Sequence, residues 1–131
     1  MSVYNTLLPP PSVAPGDSVL LFNNEVVTTG EFSQQVALVR KDADERRARL
    51  ELTFSANPGA FDIEVQDSDT DITQDYITEQ NAVLIAATAT PGGGFVAVME
   101  MDPLMGNFAR LWVKTQPANN PVNCTAKFTL N

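Results

Sequence analysis

Apolar side chains recur at every second position along much of the chain. "LELTFSA" sets Leu50, Leu52 and Phe54 against Glu51 and Thr53, and "AFDIEVQ" sets Phe61, Ile63 and Val65 against Asp62, Glu64 and Gln66. Successive side chains point to opposite faces of a strand, so each run predicts a strand with one dry and one wet side. "ANPGA" between them carries the Pro and Gly of a tight connection and predicts a hairpin. The last two runs behave alike. Ala109, Leu111 and Val113 alternate with Arg110, Trp112 and Lys114, and Cys124, Ala126, Phe128 and Leu130 alternate with Thr125, Lys127 and Thr129. "SVLLF" (18–22), "FSQQVALVR" (32–40), "AVLIAATAT" (82–90) and "FVAVMEM" (95–101) complete a set of about eight short strands parted by turn residues. The pattern predicts an all-β, antiparallel β-sandwich, immunoglobulin-like or jelly-roll. Helix is expected only over residues 41–49, where Asp42–Arg46 and Glu45–Arg49 form i, i+4 pairs, with a turn around Ile72 to Glu79.

Residues 1–17 break this pattern. Pro9, Pro10, Pro11 and Pro15 fix φ and remove amide donors, which predicts an extended arm followed by one sandwich domain over 18–131. Leu7 and Leu8 sit in that arm with no local core to enter. It is either a disordered tail or a strap whose Leu7, Leu8, Pro9, Pro10 and Pro11 anchor on a neighbouring subunit.

Composition narrows the function. Of 131 residues, 44% are hydrophobic and 18% charged, as in a folded globule. The net charge of -8 opposes general nucleic-acid binding, although Arg40, Lys41, Arg46, Arg47 and Arg49 cluster in one window. That basic ridge is either a solvated connection or a surface for an acidic neighbour. Histidine is absent, which removes imidazole acid–base chemistry, Ser-His-Asp and Cys-His catalysis and His-ligated metals. Cys124 is the only cysteine, so no intrachain disulfide forms, and on the dry side of its strand it reads as a small buried hydrophobe. The opening "MSVYNTLLPPP" lacks the basic and apolar regions of a signal peptide, and no run reaches about 20 apolar residues. A cytosolic product with no membrane partner is expected.

The acidic stretch "QDSDTDITQDY" invites comparison with a calcium loop. Asp67, Asp69 and Asp71 occupy positions one, three and five of an EF-hand, but Ile72 stands where the turn glycine belongs and Thr78 where the bidentate Glu belongs. A solvated connection is the plainer reading, with Asp67, Asp69 and Asp71 as the one metal candidate. The carboxylate pairs Asp62/Glu64 and Glu100/Asp102 follow from alternation on a polar face and have no accompanying catalytic apparatus. "TPGGGF" lacks the Lys-Ser/Thr of a phosphate cradle. No enzymatic activity and no cofactor is expected. Trp112, beside Arg110 and Lys114 on a wet face, is the residue that calls for a cover or an interface.

The Pro-rich start, "TFSANPGAFDIEVQDSDTD", "DYITEQ" and the closing "ARLWVKTQPANNPVNCTAKFTLN" together resemble small β-sandwich virion proteins of tailed bacteriophages, of the capsid decoration or cement type. The likeness covers most of residues 50–131 and lies in strand spacing and loop composition. It implies a structural role on the capsid exterior, with the major capsid protein or other virion proteins as partners and a homo-oligomer on the particle. Contact is expected through the arm and through a sheet face carrying Arg110, Trp112 and Lys114. A neck or tail component, or a calcium- or carbohydrate-binding sandwich module, is the alternative.

Overall fold

The computed structural model describes residues 10–39, 48–68, 77–78, 88–89, 94–101 and 107–130. Among them lie ten strands and no helix: β1 (Ser12–Val13), β2 (Ser18–Val26), β3 (Val36–Leu38), β4 (Ala48–Phe54), β5 (Asp62–Ser68), β6 (Ile77–Thr78), β7 (Thr88–Ala89), β8 (Phe95–Met101), β9 (Phe108–Thr115) and β10 (Asn123–Leu130). They form two sheets, a front sheet ordered β1-β3-β9-β5-β6 and a back sheet ordered β2-β10-β4-β8-β7. Every pairing is antiparallel except β1 with β3, which is parallel.

Alternation builds the core. On β4, Ala48, Leu50, Leu52 and Phe54 are fully buried, and on β10 Cys124, Ala126, Phe128 and Leu130 are equally so. Their register sets Leu50 beside Phe128, Leu52 beside Ala126 and Phe54 beside Cys124, so large and small side chains interleave on the back sheet. The front sheet contributes Ile63, Val65, Ala109, Leu111 and Val113 to the same apolar cluster. One core drawing on the inner faces of both sheets makes the molecule a β-sandwich.

Five expectations change. "ANPGA" is not a hairpin: β4 pairs with β10 and β8, β5 with β9 and β6, so the connection crosses from the back sheet to the front. Phe54 and Phe61 flank that crossing with ring centroids 4.9 Å apart and tilted by 53°, packing that a tight two-strand turn would not require. Asn57 Oδ1 accepts the Gly59 N–H at 3.0 Å and Pro58 is buried, so the turn chemistry closes a corner.

The run 32–40 is a strand only over Val36–Leu38. Phe32 bridges Trp112 while Val36 faces Ala109, four residues against three, so one residue bulges out. Ser33 repairs the gap. Its N–H donates to the Leu111 carbonyl at 2.9 Å and its Oγ accepts the Leu111 N–H at 2.8 Å, with the serine wholly buried.

Of the segment expected as helix, 41–47 lies outside the described residues, and Ala48 and Arg49 belong to β4, held by pairing to Leu130 and Thr129. Arg49 Nη2 lies 3.9 Å from Glu51 Oε2 on the same wet side of the strand. Ile77 and Thr78, within the expected turn, form β6 against Asp67 and Gln66.

The Pro-rich segment joins the sandwich before residue 18. Pro11 and Val13 carbonyls accept the Ala37 and Val39 N–H groups, each at 2.8 Å, and Val13 is buried in the core. Leu7, Leu8 and Pro9 lie outside the described residues; Pro10 is half-buried and Pro11 exposed.

Candidate functional site

The outer face of the front sheet gathers the sheet-face residues expected from the sequence. Because Ala109, Leu111 and Val113 face the core with no exposure, β9 must direct Arg110, Trp112 and Lys114 outward. β5 lies alongside in register, setting Gln66 opposite Arg110 and Glu64 opposite Trp112. On the other side Phe32 bridges Trp112. Six side chains therefore share one face: Phe32, Glu64, Gln66, Arg110, Trp112 and Lys114.

Arg110 departs from the expected wet position. Only 3% of it is exposed. Its guanidinium carbon lies 3.9 Å from the centre of the Phe32 ring, and its Nε–H donates to Gln66 Oε1 at 2.9 Å. A cation held over an aromatic face away from water gains about 2 kcal/mol, and the single bond to Gln66 helps fix its plane, although the buried Nη1 has no hydrogen-bond partner among the described residues. Arg110 is thus a rigid base of the face and not a mobile surface charge.

Trp112 is half-buried between Phe32 and Glu64. Lys114 is the exposed member, its side chain 49% exposed and its Nζ 3.9 Å from Oε1 of a Glu64 side chain only 7% exposed. At that distance and exposure the pair contributes under about 1 kcal/mol, leaving the ammonium available to a partner. Asp62 precedes Glu64 by two on the same side of β5, with Oδ1 buried and without a hydrogen-bond partner. The face joins a fixed cation, two aromatic rings and a free-reaching lysine, a composition suited to recognition by contact.

Alternation in the sequence sets Arg110, Trp112 and Lys114 on one face but does not bring in Phe32, which the bulge at Ser33 places beside Trp112. Glu64 and Gln66 were legible as the polar side of their strand, but neither the burial of Glu64 nor their pairing with β9 was, since register is not written in alternation.

Of the metal candidate Asp67, Asp69 and Asp71, only Asp67 lies among the described residues. Asp67 is a strand residue of β5, paired with Ala109 and buried, so the acidic stretch opens in a sheet and not in a solvated connection. Asp69 and Asp71 lie outside the described residues. Among the described residues no three His, Cys, Asp or Glu side chains stand together as a metal site. The side chain of Glu100 and the whole of Asp102 likewise fall outside the description.

Burial pushes the Cys124 thiol up to about 12, with the Glu25 charge adding to the shift. Such a thiol is neutral and inert in the folded chain. No protein-family model matches the chain, and no curated protein sequence matches it.

Proposed function

We propose that this chain is a non-enzymatic structural protein of a tailed-phage virion, a capsid decoration or cement protein that binds the head shell through its N-terminal arm and the outer face of the front sheet. The major capsid protein is the partner, other virion proteins and further copies of the chain are its neighbours, and the capsid exterior is its place. The observation that carries this reading is the front face itself. Trp112 sits half-buried between Phe32 and Glu64, two residues along the same face of β9 from an Arg110 already held by Phe32 and Gln66, so little of Arg110's side-chain freedom is lost on contact.

The strand order supports the same reading. With the two-residue edge pieces β1 and β7 set aside and the equally short edge strand β6 kept, the back sheet runs β2-β10-β4-β8 and the front sheet β3-β9-β5-β6. This is first-eighth-third-sixth facing second-seventh-fourth-fifth, the order of two nested Greek keys, and favours a jelly roll over an immunoglobulin-like sandwich. Jelly rolls serve widely as viral capsid domains. The resemblance of residues 50–131 to phage virion proteins points the same way.

Locating the chain on purified virions by labelled electron microscopy tests the proposal. Many copies spread across the head are expected. A single ring at the neck or tail would move the role there, and absence from the particle would end the proposal.

A further inference from the structure

β2 is the longest strand described, nine residues, and it forms an outer edge of the back sheet. A long unpaired edge is a template on which a second copy could add a strand. The direction of its backbone groups follows from one bond. The Leu130 N–H donates to the Asp17 carbonyl, while the Asp17 N–H turns back to the Ala14 carbonyl, and antiparallel pairs alternate, so Val19 faces β10 while Ser18 and Leu20 present N–H and C=O outward. Leu20 is also 38% exposed, an apolar side chain beside open backbone.

That outward position is occupied. Gln34, from the bulged segment of the front sheet, donates its Nε2–H to the Leu20 carbonyl at 2.6 Å. Beyond Leu20 the strand loses its regular edge. From Lys127 to Ala126 β10 advances one residue while β2 advances two, and from Ala126 to Cys124 two while β2 advances three. Asn24 in this stretch is left-handed at φ 50°, and its N–H goes to Thr125 Oγ1 in place of a backbone carbonyl. Only Ser18 and Leu20 remain as a regular outward pair of positions. The front-sheet edge at β1 is closed differently, since Pro10 and Pro11, which lead into it, have no N–H to offer.

We propose that Gln34 is a gate on the β2 edge, closing it to strand addition by a second copy of this chain, so that copies meet through faces and not through a continuous sheet. The inference rests on the edge alone and stands whether or not the chain belongs to a virion. Gln34→Met matches the side chain in shape but has no donor. The variant should show a concentration-dependent doubling of mass by light scattering, with slowed hydrogen exchange at the Leu20 amide, which exchanges freely in the parent. Adding Leu20→Pro, which removes that amide at a solvent-facing edge, should return the mass to the parent value. If Gln34→Met does not fold, Gln34→Asn, too short to reach Leu20, should give the same result. Unchanged mass in the folded variant, association without protection at Leu20, or a protected Leu20 amide in the parent would each overturn the gate.

Discussion

Cys124 shows how one position couples burial to pH. Its folded value, about 12, lies above an ordinary 9.0, so the fold favours the neutral thiol. The stability this group contributes is full below pH 9 and is lost as pH rises toward 12, because the unfolded chain ionises first. Relative to a Cys124→Ala variant, the unfolding midpoint should therefore fall across that window. A thiol reagent at neutral pH should find nothing in the native chain and one thiol in denaturant. Ser33 makes a second case. Removing its hydroxyl leaves the buried Leu111 N–H without its acceptor, and Ser33→Ala should cost about 1–3 kcal/mol in urea unfolding. An unchanged midpoint would mean the bulge closes on its own.

At the scale of elements, alternation was an accurate guide wherever a strand has one face in the core and one in water. β4, β5, β9 and β10 were legible for that reason, and Phe128 and Thr129 mark the two sides. Phe128→Ala should cost about 3–5 kcal/mol, since it empties a site between the sheets, whereas Thr129→Ala should stay within about 0.5 kcal/mol. What alternation does not encode is the partner. "ANPGA" has the chemistry of a turn but crosses between sheets, since β4 pairs with β10 and β8 while β5 pairs with β9 and β6. Ala48–Arg49 carried a helical charge spacing worth a few tenths of a kcal/mol, which ladder pairing to β10 and β8 outweighs. Strands as short as β1 and β6 have too few residues to show a period at all. The candidate face followed the same division. Its β9 residues were legible from alternation, but Arg110 was read as wet because only register and the Ser33 bulge bring Phe32 over it.

The whole molecule is two layers around one core, with the Pro-rich segment entering at the edge of the front sheet. Val13 belongs to the core, so an arm deletion must stop short of Pro10. Removal of residues 2–9 should leave thermal unfolding unchanged and abolish attachment to the particle, whereas removal of 2–15 should lower the unfolding temperature as well. If the 2–9 deletion attached normally, the arm would have no docking role. The central claim concerns the front face, and add-back to capsids lacking the chain tests it most directly. The parent protein should bind such shells, and Trp112→Ala, with unfolding like the parent's, should fail to. Equal binding by both proteins would contradict the account.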